Sequence, residues 1–229
     1  MQDQRSAWDR RNRRVASASR ARSYNDLDYP WRCVGRVDSG GKGGSGVLIG
    51  PRHVLTASHA MDWSNLWVKF TAHLFDSTNA GWSFASAVWH YDKISDVDSD
   101  TVDQDYVVVV LSSPLGSQLG YLGAREYHDD WDGESYWSSI GYSSNMGGGD
   151  RPLFQDEIVL EEEDGGDMMA MTTTTGDFQP GQSGSAVFAW WTKGPYAIGV
   201  VSGAAQGKNW ISGGEAMVDL VKTARNEDP

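Results

Sequence analysis

Three short segments carry residue types that could work together in nucleophilic catalysis. His59 ends the sequence Thr-Ala-Ser-His, Asp105 directly precedes an apolar run, and Ser183 stands between glycines in the sequence Gly-Gln-Ser-Gly. A Ser hydroxyl is a poor nucleophile until a base removes its proton, and a His oriented by an acid is suited to that task. Each signal alone is weak, but the three together predict a nucleophile, its base and an orienting acid.

The position of the acid has one rival. Asp103 lies two residues before Asp105 and would share its face if the strand already extended that far. We favour Asp105 because it directly precedes the apolar run Tyr106–Leu111. The other four histidines, His53, His73, His90 and His128, lack a comparable context, and we expect them to be ordinary surface or turn residues.

The elements that must position these residues are mostly short strands. From residue 47 to residue 201, runs rich in Val, Ile, Tyr and Trp recur between Gly, Asp and Ser clusters, which is typical of an all-β sandwich or barrel. From Glu215 to Ala224 the apolar residues recur at helical spacing, so we expect a C-terminal amphipathic helix. The nine Trp between Trp63 and Trp210 could stack on sugars, but most fall in or beside predicted strands, so we expect them to fill the core.

The three motifs resemble those of the trypsin-like (chymotrypsin-fold) serine endopeptidases, in particular the glutamyl-endopeptidase-like branch of bacteria and fungi. The resemblance covers roughly residues 29–225 and includes the Tyr-Pro-Trp sequence at residues 29–31. It implies two six-stranded antiparallel β-barrels with the site in the cleft between them. We expect the first barrel over about residues 29–120, and the second barrel with the C-terminal helix over about residues 121–229.

The resemblance also implies the role of each residue. Ser183 is the nucleophile, His59 the general base and Asp105 the acid that orients the imidazole, while the backbone amides of Gly181 and Ser183 form the oxyanion hole. Such an enzyme hydrolyses peptide bonds through an acyl-enzyme and needs neither a cofactor nor a metal ion. The alternatives are an inactive binding module on the same fold, and an esterase or acyltransferase that uses the same site.

Two departures from the family pattern stand out. The places where many relatives carry a disulfide near the catalytic His correspond to Ser45 and Ala60, so we expect packing alone to stabilise that region. Gln182 replaces the Asp that pairs with a new N-terminal amine in animal trypsins, so that activation switch is excluded.

Substrate preference is left open between basic and other side chains. Asp177 lies six residues before Ser183, where trypsin-like members carry the acid that pairs with Arg or Lys, although Phe178 beside it could narrow the pocket. Val201 stands where glutamyl endopeptidases present a His, which disfavours an acidic substrate. Ser202 and Gly203 would pair with the substrate backbone as an added strand.

Composition and charge exclude several classes of protein. The 229 residues carry a net charge of −12, and only ten of the 19 basic residues, against 27 acidic ones, lie beyond residue 36. An acidic body repels nucleic-acid backbones. The longest apolar stretch is far shorter than the roughly 20 residues of a membrane span, and one Cys cannot form an intramolecular disulfide.

The remaining expectations concern the ends, the loops and the assembly. Residues 1–28 are Arg-rich and are expected to be a disordered leader or the remnant of a propeptide. The acidic stretches 92–103 and 161–167 should be solvated loops, which could also attract Ca²⁺. Family resemblance favours a secreted monomer whose partners are protein or peptide substrates.

Overall fold

The computed structural model describes residues 22–205 and 207–229, with the side chains of residues 22, 164 and 205 left aside. In this part of the chain almost all regular structure is β, together with two α-helices and short 3-10 turns. The prediction of an all-β fold with a C-terminal helix is confirmed.

The first half is a closed six-stranded barrel. Its antiparallel ladder runs in the order β2-β3-β4-β7-β6-β5. The strands are β2 (Val34–Ser39), β3 (Lys42–Leu48), β4 (His53–Thr56), β5 (Val68–Ala72), β6 (Gly81–His90) and β7 (Val107–Leu111). All five residues of β7 are buried, because a run of four Val and one Leu suits a strand whose two faces both lie in the core.

The second half is a nine-stranded sheet, whereas a closed six-stranded barrel was predicted. Eight strands follow one another in the order β1-β10-β9-β13-β14-β15-β12-β11, and β8 pairs with β14 in parallel. The strands are β1 (Arg22–Ser23), β8 (Gly123–Ala124), β9 (Trp137–Tyr142), β10 (Pro152–Ile158), β11 (Glu161–Asp164), β12 (Met169–Thr173), β13 (Ala186–Trp191), β14 (Gly194–Ala205) and β15 (Lys208–Gly213).

The side chain of Gln155 links strand β10 to the residues that follow β12. Gln155 Nε2 donates to the carbonyl oxygen of Thr175 at 2.7 Å, and Gln155 Oε1 accepts from the amide of Asp177 at 2.7 Å. Strand β11 corrects the prediction of a loop over residues 161–167, because its residues 161–164 pair with β12 despite their charges.

Two helices connect the halves. Helix α1 (Leu115–Leu119) follows β7, and helix α2 (Glu215–Glu227) follows β15. The buried face of α2 consists of Met217, Leu220, Val221 and Ala224, and it packs against β4 and β7 of the first barrel. The helix therefore ties the end of the second half to the core of the first.

The described part of the predicted leader contacts the domain. Strand β1 pairs with Leu153 and Phe154 of β10, and the Tyr24 ring lies 5.7 Å from that of Trp31. Asn25 Oδ1 lies 3.2 Å from Nε2 of His73. The rest of the Arg-rich segment, residues 1–21, lies outside the described residues.

Burial differs from expectation for several ring side chains. Trp137 is fully buried, as expected, whereas Trp67 and Trp82 are exposed. The prediction of a surface or turn residue is wrong for His53, which is buried in β4, whereas His73 lies in a turn, as predicted, but is also buried. The sequence context of each, a short apolar strand and its end, did not reveal that another element covers the ring.

His53 is held by the end of helix α2. Its Nε2 lies 3.1 Å from the carbonyl oxygens of both Ala224 and Asp228. Carbonyl oxygens only accept, so Nε2 carries the proton and donates. Burial lowers the pKa of His53 below its ordinary value near 6.5, and it lowers that of His73 in the same direction.

These two buried rings make stability depend on pH. Below about pH 6.5 the unfolded chain takes up protons that the folded rings resist, so the free energy of unfolding should fall as the pH drops from about 7 to about 5. Replacing His53 with Gln, which keeps a donor but does not titrate, should reduce this slope. Urea unfolding at several pH values measures it, with exposed His128→Gln as the control. Equal slopes in wild type and His53→Gln would contradict the assignment.

The described part of the chain contains no helix long and apolar enough to cross a bilayer.

Candidate active site

His59 enters the site from the first barrel. Strand β4 ends at Thr56, and the chain then forms a 3-10 turn, Ser58–Ala60, that carries the imidazole. Ser58 anchors this turn, because its Oγ donates to the carbonyl oxygen of Asp92 at 3.1 Å and accepts from the amide of Ile94 at 3.0 Å. The His59 side chain keeps 21% of its surface exposed. It is therefore fixed at its base and open at its tip.

Asp105 lies just before β7 and is fully buried. Its carboxylate accepts three hydrogen bonds. Its Oδ1 accepts from the backbone amide of His59 at 2.8 Å. Its Oδ2 accepts from His59 Nδ1 at 2.6 Å and from Ser202 Oγ at 2.5 Å. Because the carboxylate only accepts, the neutral imidazole carries its proton on Nδ1 and presents Nε2 as an acceptor.

Ser183 is the third member of this row of hydrogen-bonded side chains. Its Oγ lies 2.7 Å from His59 Nε2, so it can donate its proton to that nitrogen. Asp103 does not join the row: it makes no hydrogen bond to His59 among the described residues, and its Oδ1 is buried without a partner. The structure thus brings Ser183, His59 and Asp105 together over 124 and 46 residues of sequence separation.

The loop that carries Ser183 requires glycine at two positions. Gly181 has a φ of +92° and Gly184 a φ of +81°, in a region that residues with a side chain rarely adopt. A Cβ at Gly184 would lie 2.2 Å from both the carbonyl oxygen of Ser45 and Oγ1 of Thr56. The glycines therefore allow both the turn and the close approach of the first barrel.

Two backbone amides in this loop are available to a ligand. Neither the amide of Gly181 nor that of Ser183 donates to an acceptor within the described residues. The Pro180–Gly181 peptide is fixed from its other side, because the amide and Oγ of Ser144 donate to the carbonyl oxygen of Pro180 at 2.9 and 3.0 Å. In a planar trans peptide the N–H points opposite to the C=O, so this clamp also sets the direction of the Gly181 amide.

Ser45 joins the first barrel to the same loop. Its backbone amide donates to the carbonyl oxygen of Ser183 at 2.7 Å, and its Oγ donates to that of Gly181 at 3.0 Å. The same Oγ accepts from the amide of Tyr142 at 2.8 Å. The expectation that packing alone stabilises this region is wrong, because a fully buried hydroxyl links three segments.

The residue that faces Ala60 is Gly44, one position earlier than predicted. A Cβ at Gly44 would lie 3.1 Å from that of Ala60, close to the separation of disulfide-linked residues, about 3.5–4.5 Å. Strand side chains alternate in direction, so a shift of one residue turns Ser45 to the nucleophile loop instead. The motif itself could not reveal this register.

Ser202 has a role that its sequence context did not suggest. We expected it to offer backbone to a substrate, but its side chain is buried and donates to Asp105. The ladder between β14 and β15 is interrupted between Val201 and Ala204, so Ser202 and Gly203 are not paired in register with β15. A Cβ added at Gly203 would meet nothing within 4 Å. The backbone at Gly203 therefore faces open space.

Asp177 lies in the loop between β12 and Ser183 and is half-buried. Its Oδ1 accepts from Nε2 of Gln179 at 3.0 Å, and no cation pairs with it among the described residues. The Phe178 ring packs back against Gly176, where an added Cβ would lie 2.6 Å from the ring. Val201 is buried in the apolar core of the second half.

Candidate metal ligands lie apart from this site. In the described ranges one group, His128, Asp129 and Asp130, has ligand atoms within 4.8 Å of one another, and all three residues are exposed. His128 Nδ1 already contacts the carboxylates of both neighbours. Exposed acidic groups of this kind are common without an ion, so we assign no metal to it.

Comparison with solved structures defines the class of fold. A Glu endopeptidase superposes with a TM-score of 0.75 at 18% identity, covering 90% of this chain and 96% of that one. The protease Anisep of Arthrobacter nicotinovorans gives 0.68 at 16% identity, covering 90% and 100%. Human heparin binding protein also gives 0.68 at 16% identity, covering 91% and 96%. The fold is chymotrypsin-like.

The sequence comparisons identify the family. Residues 44–193, more than half of the chain, match the family model of the trypsin-like peptidase domain, and the chain belongs to that family. It is also similar to a glutamyl endopeptidase of Bacillus licheniformis, with 30% identity over 112 residues. That match covers 48% of this chain and 35% of the length of the relative.

The Ser45 hydroxyl gives a testable effect on the nucleophile loop. Ser45→Ala would leave the Gly181 carbonyl and the Tyr142 amide without their shared partner, a cost of roughly 1–3 kcal/mol. We expect Ser183 to react about tenfold more slowly with a fluorophosphonate, measured by intact mass over time.

The matched control is Ser139→Ala on strand β9. Ser139 is as buried as Ser45, but its Oγ has no hydrogen-bond partner among the described residues. Its removal should leave the labelling rate near that of the wild type. Folded Ser45→Ala protein that labels at the wild-type rate would show that the hydroxyl does not position the loop.

Proposed function

We propose that this protein is a serine endopeptidase that cleaves peptide bonds through an acyl-enzyme, with Ser183, His59 and Asp105 as its catalytic triad. The observation that carries the proposal is the unbroken line of hydrogen bonds from Ser183 Oγ through the imidazole to the buried carboxylate, at 2.7 and 2.6 Å. Membership of the trypsin-like peptidase family supports it.

The proposed reaction begins with attack of Ser183 Oγ on the substrate carbonyl carbon while its proton passes to His59 Nε2. The imidazolium then carries two N–H groups, and the Asp105 carboxylate stabilises its charge at Nδ1. As the carbon–nitrogen bond breaks, the proton on Nε2 moves to the leaving amine. A water molecule, deprotonated by the same nitrogen, hydrolyses the ester and restores Ser183.

The charge that develops on the substrate oxygen needs donors that are already in place. The amides of Gly181 and Ser183 fit this role, since both lack a protein acceptor among the described residues and lie beside the nucleophile. In related sites one such donor is worth about 3–4 kcal/mol in the transition state. The clamp of Ser144 on the Pro180 carbonyl would keep the first donor oriented before substrate arrives.

The proposed substrate path follows the open stretch of β14. The backbone of Ser202 and Gly203 lies where the ladder with β15 is irregular, and we propose that it pairs with an extended peptide. We further propose that the enzyme acts as a secreted monomer on protein or peptide substrates, without a cofactor, metal ion, nucleic acid or membrane as partner. The homologous glutamyl endopeptidase supports a peptide substrate.

Two rival functions share the fold. One solved neighbour bears the name heparin binding protein, and a fold alone does not determine activity. A binding module would not require the short hydrogen bonds that join Ser183, His59 and Asp105. An esterase or acyltransferase would use the same triad, and casein offered beside simple esters distinguishes these activities.

Fluorophosphonate labelling tests the triad directly. This reagent reacts with an activated Ser, so the wild type should gain a single adduct in its intact mass, while Ser183→Ala and His59→Ala should gain none. A folded wild type that stays unlabelled, both as the full chain and as a shorter chain beginning near Tyr29, would overturn the proposal.

The two aspartates provide a matched pair for the acid. Asp105→Asn should lower the rate of peptide cleavage by about 10⁴-fold, the loss typical of such a triad, because the imidazole loses its orienting carboxylate. Asp103→Asn, two residues away, should retain activity within a few fold. A large loss in Asp103→Asn with little loss in Asp105→Asn would reverse the assignment.

We assign Asp177 as the carboxylate that selects a basic side chain in the substrate. It is half-buried and free of a cation among the described residues, while buried Val201 offers no partner to an acidic side chain. Fluorogenic peptides that differ only in Arg, Leu or Glu before the cleaved bond should be cut fastest after Arg.

Asp177→Asn should lower kcat/KM for the Arg peptide by more than tenfold and leave the Leu peptide nearly unchanged. The Leu peptide is the internal control for folding and for the triad. Fastest cleavage after Glu, or equal losses on the Arg and Leu peptides, would refute this role without touching that of Ser183.

A further inference from the structure

A second concave site lies away from the catalytic residues. It is a pocket of about 400 Å³ between helix α2, the turn that joins β13 to β14, and the segment around Tyr121. None of its lining residues belongs to the triad or to the nucleophile loop. Its volume falls within the usual range for a small-molecule site.

The charge of this pocket opposes that of the protein. Its charged lining residues are Lys193, Lys222 and Arg225, with no Asp or Glu among them, although the chain carries a net charge of −12. Only one of the three cations has a carboxylate partner in the described part of the chain: Lys222 Nζ lies 2.7 Å from Asp219 Oδ1. Lys193 and Arg225 therefore face the pocket without a counter-ion.

Arg225 is the least exposed of these cations. Its Nε is buried beside Gly50, where an added Cβ would lie 2.8 Å from it, and has no hydrogen-bond partner among the described residues. One terminal nitrogen reaches the carbonyl oxygen of Leu122 at 3.5 Å, the outer limit of a hydrogen bond, and the guanidinium lies 5.2 Å from the Tyr121 ring. Burial lowers the pKa of this group, and the nearby Tyr121 offsets only part of that effect. A guanidinium usually meets a carboxylate or phosphate in such a setting.

The helix brings two cations to the same face at some cost. Lys222 and Arg225 are three residues apart on α2, so they are neighbours on its surface and repel each other. The last turn of a helix favours a cation through its dipole, yet no described helix carbonyl accepts from Arg225. Asp219 already pairs with Lys222, so an anion beside Arg225 would offset the charge that still lacks a partner among the described residues.

The remaining walls are apolar and closely fitted. The ring of Tyr29 lies against Gly120, where an added Cβ would come within 2.8 Å of it. The ring of Tyr196 lies against Gly123, where a Cβ would come within 2.3 Å. Val221, which is buried, also lines the pocket. The absence of side chains at the two glycines thus lets both rings line the pocket.

We propose that this pocket binds a carboxylate attached to an apolar group about the size of one amino-acid side chain. The carboxylate would lie between Lys193 and Arg225, and the apolar group would lie against Tyr29 and Tyr196. Such a ligand is either a small free acid or the C-terminal residue of a peptide. The chemistry recognised is the same in both cases.

Titration of the full chain with N-acetyl-leucine and with N-acetyl-leucinamide tests the proposal. The titrations use the Ser183→Ala variant, so that no peptide is cleaved, and any binding in the catalytic cleft is recognised as the part that substitutions in the pocket leave unchanged. By calorimetry the acid should bind at least tenfold more tightly than the amide, as expected for charge-assisted hydrogen bonds. Repeating the pair with acetyl-Ala-Ala-Leu and its amide shows whether a peptide C-terminus binds better than the free acid.

Lys193→Glu should weaken binding of the acid at least tenfold, and because Lys193 is exposed this variant should fold normally. Arg225→Gln should weaken it similarly. Lys93→Glu, an equal change of charge at an exposed residue outside the pocket, is the control. Equal binding of acid and amide, inorganic phosphate binding as tightly as the acid, or equal weakening by Lys93→Glu would overturn the proposal. None of these outcomes depends on whether Ser183 is catalytic.

Discussion

The buried carboxylate of Asp105 is the constraint on which the arrangement of the molecule depends. An ionised group without solvent is tolerated only when it is paired and hydrogen-bonded. Asp105 satisfies this need with donors from both halves: the amide and ring of His59 from the first barrel, and the hydroxyl of Ser202 from β14. The two halves must therefore meet within hydrogen-bond distance of this carboxylate, and the same contacts orient the imidazole.

Further hydrogen bonds reinforce the same interface. Ser45 links the barrel to the nucleophile loop, and helix α2 brings Asp228 back to the first half, where its Oδ2 accepts from Trp89 Nε1 at 2.7 Å. The apolar core also continues across the boundary, since Ile140 and Phe188 of the second half pack in the cluster built around the barrel. With its single Cys buried and unpaired, the protein joins its halves through packing and hydrogen bonds.

Sequence alone predicted much of this because some signals are local. The apolar run of β7 fits only a buried strand. The motifs around His59 and Ser183 include the residues that form their turns. What could not be predicted is the register of the strands and which distant element buries a given side chain. The exchange of roles between Gly44 and Ser45 is a shift of one residue, and the side-chain role of Ser202 depends on a residue 97 positions away. His53 is buried by a helix from the far end of the sequence. The acidic composition of β11 predicts a loop, because it does not reveal that this segment pairs with β12.

The division of the site between two halves also bears on the order in which the chain is made. The first barrel is contiguous in sequence, from residue 34 to residue 111, and its ladder closes on itself without any later strand. A ribosome could thus release a barrel that already contains His59 and Asp105 while Ser183 is not yet synthesised. Since Ser183, its glycine turn and Ser202 all come from later residues, the proposed triad cannot form until the second half has been made. Translation itself then acts as the timer that delays reactivity until both halves exist.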